Sequence, residues 1–299
     1  GLFYCEGKIC EECRKQGSFV PALKHNCYRN SKIQTAVAVA MLKFHRWMGT
    51  YRKINYIFLT EFNKSKFAEL IDIHAENIFV KPNFVNNAAL QATSQEFSRK
   101  FLYVGRLDKY KGIEFLLNVW PSLPEEYELH IYGDGEYRQA CEKAVGQYRN
   151  IRYYGFCAQK EIFTDLRESA ALLFPSLLYE GYGMTLVESF GLGRPVVSTN
   201  LGNQADIVRV SGGGVLYESG DKESFRKALE EVICNNVQYA SSASRYYREA
   251  LTTEKNYEKL NKSIAMSTML SLLVGLVVTI FGLLCAKPLL SFMNTPADI

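Results

Sequence analysis

The stretch Ala170-Ala-Leu-Leu-Phe-Pro-Ser-Leu-Leu-Tyr-Glu-Gly-Tyr-Gly-Met-Thr-Leu-Val-Glu188 joins a strand-like run to a helix-like run through a loop that contains two glycines. The apolar residues 170–174 are typical of a buried strand, and residues 185–191 are typical of a helix. Glycine lets the backbone approach a ligand closely. A helix N-terminus offers unpaired N–H groups and a positive dipole to an anion. The stretch therefore predicts an anion-binding loop at the end of a strand.

Two carboxylates flank this loop. Glu180 stands before the predicted helix and Glu188 stands one turn inside it. Carboxylates accept hydrogen bonds from sugar hydroxyls, so the pair suits a sugar or ribose attached to phosphate. The motif alone also permits an exposed helix start with two unrelated glutamates.

Strand-like and helix-like runs alternate through the second part of the chain. This alternation predicts an α/β domain with a parallel sheet and helices on both faces. Ligands of such sheets bind at the carboxyl ends of the strands. The predicted strands are 101–104, 128–132, 151–154, 170–174, 195–198 and 214–217, and the predicted helices begin near residues 113, 136, 159, 185 and 221.

The segment Gly105-Arg-Leu-Asp-Lys-Tyr-Lys-Gly112 follows the first of these strands. We expect Arg106 and Lys111 to point into the same crevice as the loop that carries Glu180, here called the glutamate loop. Two cations there would neutralise a diphosphate. Lys109 is an alternative to Lys111, and a solvated turn with ordinary surface charges is the other interpretation.

The Glu-x7-Glu pattern after Pro175-Ser176, with Gly-x-Gly inside it, resembles the retaining glycosyltransferases of family 4, which have the two-domain GT-B fold. The resemblance extends to about residue 258. It implies a partial acceptor domain at 1–90 and a Rossmann-like nucleotide-sugar donor domain at 95–258. Cys27-Tyr-Arg-Asn-Ser31 and His45-Arg-Trp-Met-Gly-Thr50 recur in polysaccharide-assembly members, which begin earlier and carry a histidine near the reaction centre. We expect His25 and His45 to be structural or exposed instead.

The resemblance also implies roles for individual residues. Glu180 would contact the donor sugar, Glu188 the ribose hydroxyls, and Arg106 and Lys111 the diphosphate. Further nucleotide-sugar contacts are implied for Gly105, Gly133, Gly155, Phe156, Gly181, Tyr182 and Gly183.

The implied reaction moves a sugar from a nucleoside diphosphate sugar to a hydroxyl acceptor with retention, in cell-surface polysaccharide or glycolipid assembly. We expect no cofactor and no catalytic metal, because cationic side chains and a helix end can carry the charge of the leaving diphosphate. The alternative is an inactive nucleotide-sugar-binding fragment fused to a membrane transporter segment.

Composition narrows the class of protein. The 299 residues are 47% hydrophobic and 22% charged, which is globular in type, and the net charge is +4. The Lys and Arg residues are not clustered, which argues against nucleic-acid binding and suits a phosphate ligand or an anionic membrane face. The chain begins at Gly1 without Met or a signal peptide, which indicates a fragment.

Cysteines concentrate at the start of the chain. Cys5, Cys10, Cys13 and Cys27 could bind Zn²⁺ tetrahedrally, with Cys10-x2-Cys13 as the usual half-site, although Cys5 is poorly placed for the other half. The alternative, which we favour, is reduced or incidentally close cysteines in a reducing cytoplasm.

The C-terminal segment differs from the rest. Residues 265–286 carry no charge and match the span of about 20 residues that a bilayer requires. A transmembrane helix is therefore predicted within 262–299, with a buried core helix as the alternative. The ending Leu-Leu-Ser-Phe-Met-Asn-Thr-Pro-Ala-Asp-Ile299 resembles a membrane segment of the multidrug and toxic compound extrusion transporters. This predicts either a membrane anchor, with the enzyme on the cytoplasmic face of the membrane, or a fusion of two partial reading frames.

Overall fold

The computed structural model describes residues 4–5, 8–68, 77–85 and 97–255, and the chain divides into two compact units, 1–253 and 254–299. The predicted transmembrane segment, the transporter-like ending and most of the predicted linker at 86–99 lie outside the described residues. Within the described ranges, every helix is too short or too polar to cross a membrane. All of the architecture below belongs to the first unit.

The N-terminal part is built from short elements. A two-stranded antiparallel ribbon and a two-stranded parallel pair accompany four helices. The elements are β1 (Tyr4–Cys5), β2 (Lys8–Ile9), α1 (Glu12–Lys15), α2 (Val20–Lys24), α3 (Lys32–Trp47), β3 (Tyr56–Phe58), α4 (Glu61–Ala68) and β4 (Ile78–Val80).

Helix α3 begins at a capping serine. The Ser31 hydroxyl accepts a hydrogen bond from the Gln34 N–H, which satisfies one of the free donors of the first turn. The helix ends at Trp47, and Gly49 follows in a left-handed conformation. The apolar spacing of residues 37–47 predicts a helix over 31–50, and the structure confirms that helix with a shorter C-terminal end. Of its apolar face, Val39 is buried but Trp47 is 82% exposed.

The second part carries the predicted strand and helix alternation. Its elements are β5 (Lys100–Val104), α5 (Ile113–Val119), β6 (Glu128–Tyr132), α6 (Arg138–Gln147), β7 (Ile151–Gly155), α7 (Gln159–Arg167), β8 (Ala171–Phe174), α8 (Met184–Gly191), β9 (Val196–Thr199), α9 (Gly202–Ser211), β10 (Gly214–Tyr217), α10 (Lys222–Cys234) and α11 (Asn236–Tyr246).

The six strands β5–β10 form one parallel sheet in the order β10-β9-β8-β5-β6-β7. This is the doubly wound order in which the chain starts in the middle, builds one half outward, and returns to build the other half. The return places β8 beside β5. Because connections leave these neighbours in opposite directions, a crevice opens at their carboxyl ends.

Side chains on the two faces of the sheet pack into two separate cores. Phe101 and Tyr103 of β5 face one core, and Leu102 faces the other, as the two-residue period of a strand requires. Phe101 and Leu102 are fully buried. Burying such a side chain contributes roughly 1.5–3 kcal/mol, so the alternating strands hold helices on both faces.

Two features differ from the sequence-based expectation. Helix α9 was not predicted, because its first residues, Gly202-Asn203-Gln204, are polar and aperiodic; they are nonetheless buried. The helix expected at about 239–258 is α11, which ends at Tyr246 and continues as a π-helical turn over Tyr247–Leu251. Thr252 then forms a parallel bridge with Val85.

Helix α7 is fixed to the sheet by one carboxylate. Asp165 Oδ2 lies 2.5 Å from His130 Nδ1 and accepts a 2.9 Å hydrogen bond from the Tyr132 hydroxyl, while Lys100 Nζ lies 2.5 Å from Asp165 Oδ1. Burial alone would raise the pKa of Asp165, but the hydrogen bonds from His130 and Lys100 outweigh it and lower the pKa to about 2. The network sets the position of α7, whose first residue is Gln159.

We expect Asp165→Asn to lower the free energy of unfolding by about 2 kcal/mol at pH 7, since a pKa shift of one unit corresponds to about 1.4 kcal/mol. The folded pKa lies below the unfolded one. The stabilisation is therefore present above about pH 4 and is lost as the pH falls toward 2. Urea unfolding from pH 7 to pH 3 measures this difference. Glu142→Gln, which removes an exposed ion pair with Arg138, is the control and should change stability little at any pH. An Asp165→Asn deficit that stayed constant with pH would contradict the assignment.

Gly112 determines how the loop after β5 packs. Its φ is +77°, and a Cβ built there would lie 2.1 Å from the carbonyl oxygen of Pro175. We expect Gly112→Ala to destabilise the protein by about 1–3 kcal/mol or more, because backbone strain adds to the collision. Gly146→Ala, in an open helical position, should be neutral or stabilising by up to about 1 kcal/mol. Denaturant midpoints compare the two, and equal midpoints would contradict the packing argument.

Candidate active site

A pocket of about 270 Å³ opens where β5 and β8 end side by side. This is the switch point of the sheet, the position at which doubly wound folds bind ligands. Its lining comes from the two strand ends, the loops that follow them and the start of α8: Tyr103, Val104, Gly105, Arg106, Lys111, Leu173, Phe174, Pro175, Ser176, Glu180, Gly183, Met184 and Thr185.

Lys111 and Glu180 form an ion pair in this pocket. Lys111 Nζ lies 2.7 Å from Glu180 Oε1, and the Ser176 hydroxyl donates a 2.5 Å hydrogen bond to the same oxygen. The two charged side chains are 25% and 13% exposed. The pair therefore joins the loop after β5 to the loop after β8.

Lys111 is brought to Glu180 by a short 3₁₀ turn, Lys109–Lys111. The Asp108 carboxylate caps this turn by accepting hydrogen bonds from the N–H groups of Tyr110 and Lys111, at 3.0 Å and 2.9 Å. Lys109, two residues earlier, lines a different pocket, together with Phe115 and Leu177. Of the two lysines that the sequence left open, the structure places Lys111 in the switch-point pocket.

Arg106 lies at the rim of the same pocket. Its side chain is 77% exposed, and its guanidinium lies 3.2 Å from an Asp108 carboxylate oxygen. An exposed ion pair of this kind contributes little to stability, so the guanidinium can turn toward an anion at small cost. The predicted cations thus share one pocket with Glu180.

The helix α8 begins at this pocket, directly after Gly183. Gly183 has φ +77°, and a Cβ there would lie 2.9 Å from the Phe174 ring. The N–H groups of Met184 and Thr185, the first two helical residues, have no acceptor one turn back inside the helix. They offer positive dipole to an anion beside Lys111. Tyr182, by contrast, is 3% exposed and its side chain belongs to the core.

Two residues that the sequence analysis missed hold the backbone of the glutamate loop. The Asn203 amide donates hydrogen bonds to the carbonyl oxygens of Glu180 and Gly181. Gln204 accepts a 3.4 Å hydrogen bond from the Glu180 N–H and donates a 2.9 Å hydrogen bond to the Leu178 carbonyl. Both amides are at most 1% exposed. The sequence shows two amide residues at this position, but it does not show that they are buried. Their role therefore could not be predicted from the sequence.

The N-terminal part also contacts this loop. The buried Thr60 hydroxyl donates to the Asn203 side-chain oxygen. The Tyr179 hydroxyl, next to Glu180, donates a 3.2 Å hydrogen bond to Glu11, which also pairs with Lys66. The loop is therefore supported from both parts of the first unit.

Glu188 belongs to a second cluster. Its carboxylate accepts a 2.7 Å hydrogen bond from the Gln159 amide, and burial raises its pKa, opposed in part by that hydrogen bond. Gln159 follows the Gly155-Phe156 loop, where the Phe156 ring is 90% exposed. The Gly133 N–H donates a 2.8 Å hydrogen bond to the Gly155 carbonyl. Of the predicted residues, Gly105, Arg106, Lys111, Glu180 and Gly183 line the pocket. Glu188 is not among the lining residues and forms its hydrogen bond with Gln159 instead.

The four cysteines that the sequence singled out are described only in part. The Cys5 side chain lies outside the description, and Cys13 is buried against Ala22 and Val39. Cys10 instead neighbours His25 and Glu12. His45 lies elsewhere, with Nδ1 3.3 Å from the Thr50 hydroxyl.

Residues 98–235 match the family model of glycosyl transferases group 1. The lipopolysaccharide 1,6-galactosyltransferase of Escherichia coli K12 is 27% identical, over 63% of this chain and 54% of that protein. The phosphatidyl-myo-inositol mannosyltransferase of Mycobacterium leprae is 28% identical, over 52% of this chain and 44% of that protein. The chain spans about half the length of the curated relatives it matches.

Solved structures show the same fold. HepE of Anabaena in complex with UDP aligns with a TM-score of 0.62 at 16% identity, covering 71% of this chain and 64% of HepE. The lipopolysaccharide outer core galactosyltransferase WaaB aligns with a TM-score of 0.59 at 24% identity, covering 71% of this chain and 62% of WaaB. The predicted α/β fold with a parallel sheet, of the GT-B type, is confirmed.

Proposed function

We propose that this chain takes part in the transfer of a hexose from a nucleoside diphosphate sugar to a hydroxyl acceptor, with retention, in lipopolysaccharide or other cell-surface polysaccharide assembly. The observation that carries the proposal is the Lys111–Glu180 pair at the switch point, beside the N-terminus of α8. The group 1 match over residues 98–235 and the relatives' names support it. The cytoplasmic face of the membrane is the proposed location.

The donor diphosphate would lie between Lys111, Arg106 and the first turn of α8. Two cations and a helix N-terminus stabilise the negative charge that grows on the diphosphate as the anomeric carbon–oxygen bond breaks. These groups supply that charge compensation without a metal ion. HepE, which shares this fold, was solved in complex with UDP, and this supports a nucleoside diphosphate as the ligand class.

Glu180 changes partner in this scheme. Without a donor, its carboxylate compensates Lys111 at 2.7 Å. When the diphosphate takes over Lys111, the carboxylate is left beside the sugar, where it stabilises the positive charge developing at the anomeric carbon. The acceptor oxygen then bonds to the anomeric carbon on the face that the diphosphate leaves, and its proton passes to the departing diphosphate oxygen. Attack on that face gives retention. Asn203 and Gln204 would keep Glu180 in place during this exchange.

The nucleoside would extend toward the second cluster. Gln159 holds one oxygen of Glu188, which leaves the other oxygen to accept from the ribose hydroxyls. The exposed Phe156 ring and the Gly155 backbone belong to the β7–α7 loop, which leads into Gln159, and a base would rest against this loop.

A second candidate function is nucleotide-sugar binding without turnover. Turnover of UDP- and GDP-sugars with lipid-linked acceptors distinguishes the two, since the second candidate predicts binding with no product. A fusion to a transporter segment concerns residues outside the described ranges.

We expect Lys111→Ala to weaken binding of the preferred nucleoside diphosphate about 10- to 100-fold, because a charge-assisted contact contributes roughly 1.5–3 kcal/mol. Calorimetric titration with UDP, GDP and ADP measures the effect. Lys109→Ala is the matched control from the same turn and should bind within about twofold of the natural chain. Equal losses in both variants, or a loss only in Lys109→Ala, would contradict the assignment of Lys111.

We expect Glu188→Ala to remove most nucleotide binding and Glu188→Gln to leave weak binding that does not vary with pH. Because burial raises the pKa of Glu188, protonation begins at a higher pH than for an ordinary glutamate. The natural chain should therefore lose affinity as the pH is lowered from 7.5 to 5, and it should do so more steeply than Glu188→Gln. Titration across this range tests the ribose contact, with the exposed Glu142→Gln as control. Unchanged affinity in Glu188→Ala would refute it.

A further inference from the structure

We infer that residues 10–25 form a site for a zinc-type divalent cation, with Cys10, Glu12 and His25 as the ligands. The site lies in the N-terminal part of the first unit, outside the switch-point pocket. The inference does not depend on the proposed function.

Three ligating side chains already lie together. A ligand atom from each of Cys10, Glu12 and His25 lies within 4.8 Å of those of the other two. Cys10 Sγ is 4.0 Å from His25 Nδ1. Thiolate and imidazole ligands of one tetrahedral Zn²⁺ stand about 3.6 Å apart, given bond lengths of about 2.3 and 2.0–2.1 Å. Binding of a cation would therefore require only a small decrease in the distance between Cys10 Sγ and His25 Nδ1.

Cys13 lies outside this group of three ligands. Its side chain is 7% exposed and packs against Ala22 and Val39. A water molecule would take the fourth position of a tetrahedral ion. Cys10 and Cys13 are both free cysteines.

The local structure around the cluster has a small apolar core. Helices α1 and α2 have four and five residues, too short to persist on their own propensity. Their buried apolar cluster consists of Cys13, Ala22 and Val39, with Phe19 and Cys27 partly buried against it. A metal ion that links the start of α1 to the end of α2 would add to the stability of this segment.

The cation would also fix a contact to the glutamate loop. Glu11 lies between the ligands Cys10 and Glu12. Its carboxylate pairs with Lys66 and with Arg14, and it accepts the hydrogen bond from Tyr179. Holding both neighbours of Glu11 would hold the backbone that presents this carboxylate to Tyr179.

Metal content of the full chain, purified without chelators and reconstituted with Zn²⁺, tests the inference. We expect about one zinc per chain in the natural sequence and in Cys234→Ser, whose cysteine is exposed on α10. Cys10→Ser and His25→Ala should retain less than about a tenth of that. Absence of zinc from the natural chain after reconstitution, or full retention in both variants, would overturn the inference.

A second measurement uses only the natural chain, so it stands even if the variants fold poorly. Co²⁺ in place of Zn²⁺ should produce a thiolate-to-cobalt charge-transfer band and the visible bands of a tetrahedral ion. Chelation should lower the midpoint of thermal unfolding. A weak octahedral cobalt spectrum without charge transfer, or oxidation of Cys10 and Cys13 to a disulfide in the protein as isolated, would overturn the site.

Discussion

The pairing of β5 with β8 is the contact on which the candidate site depends. These strands are distant in sequence, yet they pair in parallel register through Phe101, Leu102 and Tyr103 opposite Ala171, Leu172 and Leu173. Fully apolar side chains on both faces make this pairing the centre of both cores. Because the chain leaves the two strands in opposite directions, their carboxyl ends stand beside an opening. The loops after these strands can then meet across it.

An ion pair joins the two loops that the strand order brings together. Lys111 arrives from the loop after β5, and Glu180 from the loop after β8. Each loop is also shaped by a close approach that only glycine permits, at Gly112 against Pro175 and at Gly183 against Phe174. The ion pair is thus a consequence of backbone packing. In the proposed scheme, an anion that enters the pocket replaces Glu180 as the partner of Lys111.

Support for the glutamate loop comes from outside the sheet ends. Asn203 and Gln204 bond to its carbonyl and N–H groups from the start of α9. Thr60 and Glu11 reach it from the N-terminal part, through Asn203 and Tyr179. A buried amide without partners is costly, so these contacts require one loop conformation and not several. The N-terminal part therefore contributes to the geometry of the switch-point pocket.

The sequence by itself determined the alternation of strands and helices, the parallel sheet, and the position of the motifs at strand ends, because periodicity and glycine placement are local properties. It also singled out Arg106, Lys111, Glu180 and Glu188. Only the tertiary structure decided that Lys111 and not Lys109 meets Glu180, that Glu188 pairs with Gln159, and that Asn203 and Gln204 hold the loop. It likewise brought His25 beside Cys10. Each of these depends on which turns and helices face one another across the fold, a relation between distant residues that a single sequence does not record.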